Sequence, residues 1–353
     1  LRLQFGVDGS RGDWRAKLSD KQICAALHRV ISDLDFVYQV LKLCLDRSDK
    51  IEHPFERALA FKGQLERVFD TTQTGFSYWY ETTRRYLTIN ITPLNVSVKF
   101  AKMMADTGAG FVFTSATLSV DNQLSHFNAS LGLTPKQSMM VDSPFDYPNQ
   151  ALLCLPRYLP ESHADNMPHA IVKLTLELIK SAKGRCFVLF TSYRMMHLVA
   201  EGLTTQIDYP VYMQGQMSKR IILEKFTRHG NAVLLGTASF WEGVDVRGST
   251  LSCVIIDKLP FAAPDDPLLQ AKMQDCQMQG KDPFAHIQLP QAVIALKQGV
   301  GRLIRDSKDK GVLVICDNRL VTRQYGQVFL KSLPPMRRTR SLEDANKFLQ
   351  QIN

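Results

Sequence analysis

From about Pro144 onward, short apolar runs alternate with stretches of helical periodicity, and few folds accept that rhythm. The candidate strands are 151–155, 186–190, 211–213, 232–235, 253–256 and 312–315, with candidate helices at 169–181, 195–205, 218–228, 267–279, 290–305 and 320–333. The runs are continuous rather than alternating, as strands buried on both faces are, so the region predicts a doubly wound α/β domain with a parallel sheet. In such a sheet, chemistry gathers where strands hand over to helices at their carboxyl ends. After Pro334-Pro335 the tail carries Arg337, Arg338 and Arg340 and then a short amphipathic helix with Leu342, Ala345, Phe348, Leu349 and Ile352.

The first 110 residues have a different texture. Ile23, Leu27, Val30, Ile31, Leu34, Val37 and Leu41 recur at helical spacing over 19–46, which predicts a helical insertion. Residues 76–91 alternate aromatic and polar positions, as half-buried strands do, and Pro93 ends the run. Tyr78, Trp79 and Tyr80 beside Arg84 and Arg85 suit either a base-stacking platform or, more commonly, a hairpin packed on its own domain. A helix over 96–105 and a buried strand at 110–113 are expected next, the strand delivering Thr114 to Thr117 at its end.

A formal net charge of +9 favours a polyanionic partner, although many basic surfaces are only solvated. No apolar run approaches the roughly 20 residues that span a bilayer. The seven cysteines are dispersed and the eight histidines show no ligand spacing, so reduced thiols, a cytoplasmic location and no metal site are expected. The first residues lack an initiator Met, which suits a chain cut from a longer polypeptide.

Three strand ends carry polar residues. Thr191, Ser192 and Tyr193 offer hydroxyls and an aromatic ahead of a helix, where Ser192 is either a cap or part of a phosphate-binding N-terminus. Gly236 to Asp245 supplies small residues and hydroxyls that let a loop approach phosphates, with Thr237 and Trp241 available to a nucleic-acid strand and Glu242, Gly243 and Asp245 to coupling; a tight turn with Trp241 in the core is the plainer alternative. Gln298, Gly301, Arg302 and Arg305 form a Gln-x-x-Gly-Arg-x-x-Arg pattern. On a continuous helix, Gln298, Arg302 and Arg305 share one face, an array suited to the γ-phosphate of a nucleotide held by a neighbouring domain; otherwise the arginines pair with carboxylates such as Asp306 and Asp309. No Gly-x-x-x-x-Gly-Lys-Ser/Thr phosphate loop and no Asp-Glu-x-His box occurs in the 353 residues, so the chain reads as a motor without its front half.

With these motifs in order, together with Ile91-Thr92-Pro93-Leu94, Phe113 to Leu118 and Lys258 to Pro264, the chain resembles from end to end the C-terminal part of superfamily 2 iron–sulfur DNA helicases of the XPD/DinG type. The resemblance implies an α/β, RecA-like second motor domain over 141–353, the last piece of a first RecA-like motor domain over 91–140, and a partial, mainly helical arch-like insertion over 1–90. It implies an ATP-dependent 5′–3′ DNA helicase acting in repair or replication stress. Gln298, Arg302 and Arg305 would be catalytic; Glu242, Gly243, Asp245 and Gly301 would bind or couple ATP; Ser115, Thr117, Thr191, Ser192, Tyr193, Thr237 and Trp241 would touch DNA. ATP and Mg2+ would be bound with the absent motor half, and a 4Fe-4S cluster is expected in the intact family member, its cysteine ligands missing here. Single-stranded or forked DNA is the implied partner. Some bacterial members associate with the chi subunit of DNA polymerase III, for which the basic tail and its helix are a candidate docking element, the alternative being packing on its own domain. A non-enzymatic module that binds single-stranded DNA or a polymerase subunit is the competing reading.

Overall fold

All six expected strands of the later region form, and every pairing among them is parallel. The computed structural model describes residues 1–6, 9–135, 137–241 and 250–352. They fall into two compact units, one comprising 1–108, 130–132 and 262–287, the other 109–129, 133–261 and 288–353.

In the larger unit the strands are β4 (Ala151–Cys154), β5 (Cys186–Leu189), β6 (Val211–Met213), β7 (Val233–Gly236), β8 (Cys253–Ile256), β9 (Gly311–Ile315) and β10 (Arg337–Thr339), ordered β10-β4-β9-β8-β5-β7-β6. Alternate side chains feed two faces. Leu152, Cys186, Val188, Val233, Leu235, Ile255 and Val314 share a core with helices Met167–Ser181, Tyr193–Thr204 and Leu342–Ile352. Phe187 and Leu189 point the other way, towards Phe240 and helix Leu289–Val300. With both faces covered, the strands have no polar side, which is why their sequences do not alternate.

The tail adds a strand that was not expected, and its helix packs on its own domain, the commoner of the two places open to it. Residues 337–339 add a seventh, parallel strand beside β4, its exposed Arg337 and Arg338 marking a charged sheet edge that resists further pairing. The terminal helix is not a free docking element, because Ala345, Phe348 and Leu349 are buried in the core of its own unit. An apolar stripe along one face of a helix calls for a partner, and here the partner is the sheet.

The smaller unit contains an antiparallel sheet, β1 (Arg11–Asp13), β2 (Phe76–Thr82) and β3 (Leu87–Pro93), with β2 central. Helix Lys21–Leu43, capped by the Asp20 carboxylate on the N–H groups of Gln22 and Ile23, lies against helix Glu52–Phe69. Their inner residues enclose Trp14, Tyr78 and Tyr80, so those tyrosines are core residues. Arg11 covers the Trp79 ring at 4.5 Å, and the indole N–H donates to Thr92 Oγ1. The expected helix at 267–279 forms as Pro267–Met278, but it packs on β2 of this small sheet instead of on the large one. Its anchors are polar: Ser77 Oγ donates to the Pro267 carbonyl, and Arg11 pairs with Asp266 at 3.0 Å.

The buried strand expected at 110–113 does not form. Phe111, Val112 and Phe113 are 42%, 88% and 39% exposed. An apolar run becomes a strand only when a neighbour completes its ladder, and no described strand lies alongside. No helix among the described residues is long and apolar enough to cross a membrane.

Candidate functional site

Four neighbouring strands, β8, β5, β7 and β6, end on the same edge of the sheet, and each hands a polar residue to it: Asp257, Thr191, Thr237 and Gln214. This is the end of a parallel sheet where the loops diverge and leave room for a ligand. The hydrogen bonds there fall into two linked sets.

The first set is centred on Asp257. Its Oδ1 accepts from the backbone N–H groups of Thr191 at 3.0 Å and Lys258 at 2.7 Å, and its Oδ2 lies 3.2 Å from Thr191 Oγ1. Burial pushes this carboxyl up to about 7 against the pull of those donors. Just past the end of β9, Asp317 behaves in the opposite way: burial pushes it up, but the Arg319 guanidinium at 2.6 Å and the Leu259 N–H at 2.9 Å outweigh that and hold it below the usual carboxylate range. Together the two carboxylates pin residues 257–259, and Arg319 covers the Phe261 ring at 5.5 Å. Ser192 is the N-cap of helix Tyr193–Thr204, its Oγ accepting from the Met195 N–H at 3.3 Å.

The second set is centred on Gln214. Its Oε1 accepts from the N–H and hydroxyl of Thr237, while its Nε2 donates to Tyr193 Oη and Ser239 Oγ. Tyr193, 55% exposed, faces outward, whereas Thr237 is only 4% exposed.

Trp241 connects this edge to the arginines. It packs as a core aromatic and presents no face for a base: it is 4% exposed, and its Nε1 donates to the Phe190 carbonyl at 3.3 Å. Gly299 makes room for it, since a Cβ there would meet the indole at 2.9 Å. The Trp241 carbonyl accepts from Arg302, both through Nε at 2.9 Å and through Nη2. Arg302 is buried, and so braces the 237–241 turn from behind.

The single helix face expected for Gln298, Arg302 and Arg305 is not what forms. Helix Leu289–Val300 stops at Gly301, and both arginines lie in the turn beyond it. Gly299 and Gly301 are weak helix formers, and Asp309 Oδ2 draws the N–H groups of Arg305 and Asp306 out of helical register at 2.9 Å each. Gln150, itself buried, donates to the carbonyls of Asp306, Ser307 and Asp309 at 3.1, 3.0 and 2.8 Å, fixing the loop that presents half-buried Arg305. Gln150→Ala should therefore lower stability by about 1–3 kcal/mol in urea denaturation, because the buried Asp309 carbonyl and two partly buried ones lose their donor.

Ser115 Oγ accepts from the Thr117 N–H at 3.2 Å, and both residues belong to the larger unit. Two residues on, Ser119 receives the Lys297 ammonium on its carbonyl at 2.9 Å and on its hydroxyl at 3.1 Å; burial depresses the Lys297 pKa. Glu242, Gly243 and Asp245 lie outside the described residues.

Gln214, Asp257, Asp317, Ser239 and Lys297 were not among the sequence candidates. For three of them a signal was available: each follows directly on an apolar strand or its extension, Met213-Gln214, Ile256-Asp257 and Cys316-Asp317, where a polar side chain meets the ligand edge.

The helicase C-terminal domain family matches residues 175–336. The chain is 50% identical to the ATP-dependent DNA helicase YoaA of Escherichia coli over 99% of its own length and 55% of that protein's. It is 35% identical to the ATP-dependent helicase DinG of Mycobacterium tuberculosis over 75% of its own length and 40% of that protein's. It thus spans about half the length of the relatives it matches. Its fold is similar to a solved XPD helicase, with TM-score 0.58 at 17% identity, covering 94% of this chain and 65% of the other.

Proposed function

We propose that the chain, which is similar to the YoaA and DinG helicases, is the second motor half of an ATP-dependent DNA helicase that moves 5′ to 3′ on single-stranded DNA in repair or replication stress. The observation that carries this is the joining of two kinds of group at one sheet edge. Half-buried Thr191 and Ser192 and the outward hydroxyl of Tyr193, a set suited to a strand, are tied through Trp241 to the turn that bears Arg302 and Arg305. Residues 141–353 would be the motor domain, 91–140 the last piece of its partner and 1–90 part of an arch.

ATP with Mg2+ would supply the phosphoryl-transfer chemistry, and the residues of this chain that suit its phosphates are Gln298 and Arg305, with Gly301 shaping the turn between them. Arg305 neutralises charge that develops on the transferred group. Arg302 is a positioning residue: its guanidinium holds the Trp241 carbonyl, so displacement of the 301–305 turn moves residues 237–241. Trp241 passes that movement to the Phe190 carbonyl, one residue from Thr191. The grip on the strand then changes with the state of the arginine turn. Glu242, Gly243 and Asp245 would belong to the same coupling loop, and Ser115 and Thr117 would add hydroxyls to the strand path. The seven cysteines do not gather into a ligand set, and no group of three or more His, Cys, Asp or Glu side chains able to hold a metal occurs among the described residues; no iron–sulfur step is assigned to this chain.

With the apolar face of the terminal helix spent on the core, a chi-type polymerase subunit would have to dock on its outer face and the arginines of β10. An intact protein containing this chain should unwind, with ATP, a duplex bearing a 5′ single-stranded tail. Unwinding from a 3′ tail alone would contradict the polarity.

A further inference from the structure

Gln214 has all four of its strong hydrogen-bonding positions occupied, and the backbone fixes which way round its amide lies. The Thr237 N–H, 2.7 Å away, can only donate, so the atom it meets is Oε1. Nε2 must then face Tyr193 Oη at 2.5 Å and Ser239 Oγ at 3.0 Å as a donor to both. A hydroxyl that accepts from an amide keeps its own proton for another partner. Both side chains are exposed. The Thr237 hydroxyl, in contrast, donates to Oε1 at 3.0 Å and is buried.

We infer that Gln214 polarises Tyr193 and Ser239 into a pair of outward hydroxyl donors that bind phosphodiester oxygens of a single strand, with Thr237 holding the amide instead of touching the strand. This rests on the proposal that the strand lies across this end of the sheet. A group that only accepts hydrogen bonds fits two donors, and phosphate oxygens are such acceptors. The Lys219 ammonium, which donates to the Ser239 carbonyl and lies 5.4 Å from the centre of the Phe240 ring, adds positive charge beside them. Ser239 thereby joins the strand site as a contact, and Gln214 as its positioning residue.

The test is fluorescence anisotropy of a short labelled oligothymidylate with the chain across a salt series, with thermal melts to confirm that each variant folds. Tyr193→Phe and Ser239→Ala should each weaken binding about tenfold at fixed salt, the loss of a hydrogen bond to a charged group. The slope of log affinity against log salt should stay unchanged, since neither hydroxyl displaces a counterion. Gln214→Glu replaces the donor end by an acceptor, so both hydroxyls turn inward; it should weaken binding strongly in the parent and much less in the Tyr193→Phe/Ser239→Ala background. Equal losses in the two backgrounds would leave charge repulsion as the whole effect and overturn the inference. Tyr193→Phe and Ser239→Ala binding like the parent while Thr191→Ala weakens overturns the inference and leaves the strand site standing. All three binding like the parent, or no binding by the parent at low salt, overturns both.

Discussion

Arg305→Ala lowers ATP turnover of an intact motor containing this chain by on the order of 10³, about 4 kcal/mol of transition-state stabilisation, and leaves single-stranded DNA binding largely unchanged. The structure separates the two effects. The Arg305 backbone is held through the Asp309 carboxylate, and residues 306–309 by the Gln150 amide, and these bonds do not use the Arg305 side chain. Arg302→Ala differs, because the Trp241 carbonyl loses both of its guanidinium donors and the 237–241 turn is released. That variant loses turnover and DNA affinity together. Steady-state hydrolysis and anisotropy on the two variants check the assignment; near-normal turnover with Arg305→Ala would remove that residue from its role.

The contribution of Asp257 to the stability of the wild-type chain falls by about 2–3 kcal/mol as pH rises from about 5 to about 7, and Asp257→Asn removes that fall. Burial pushes the Asp257 carboxyl up to about 7, whereas an unfolded aspartate titrates near ~3.9. Between those values the native state keeps a proton that the unfolded state has released, so each pH unit costs about 1.4 kcal/mol; above the folded value the loss is complete and the curve is flat. Asp317, whose carboxyl is held low, has the opposite sign: its contribution is present above the unfolded value and lost as pH falls through the folded one, outside this window. Asparagine suits the site, with Oδ1 accepting from the Thr191 and Lys258 N–H groups and Nδ2 donating to Thr191 Oγ1. Urea midpoints across the pH series, taken on both chains, carry the answer. Parallel curves would mean that Asp257 ionises normally.

The large sheet was legible because its strands are buried on both faces, and a continuous apolar run such as Cys253–Ile256 has no other comfortable place. The site was legible only in part. Thr191, Ser192 and Tyr193 stand at a strand-to-helix junction as their sequence implies. Trp241 does not reach the surface, because Gly299, 58 residues on, offers a notch for its ring, and no local pattern reports a notch. The end of the arginine helix was misjudged for a similar reason: spacing alone continues a helix through Arg305, while the carboxylate that breaks it comes from Asp309, further along the chain. Strand 110–113 failed because pairing is not a property of one segment. Gln214 drew no notice in sequence because a glutamine is ordinary until its neighbours are known to be Tyr193, Thr237 and Ser239.

The most direct test of the motor-half account is the affinity of this chain for a labelled single-stranded oligonucleotide across a salt series, with ATP present and absent. Binding should weaken steeply with salt and be the same with and without nucleotide, since the strand-facing residues lie in this chain and the phosphate loop does not. Absence of binding at low salt would contradict it, leaving the basic surface to some other partner.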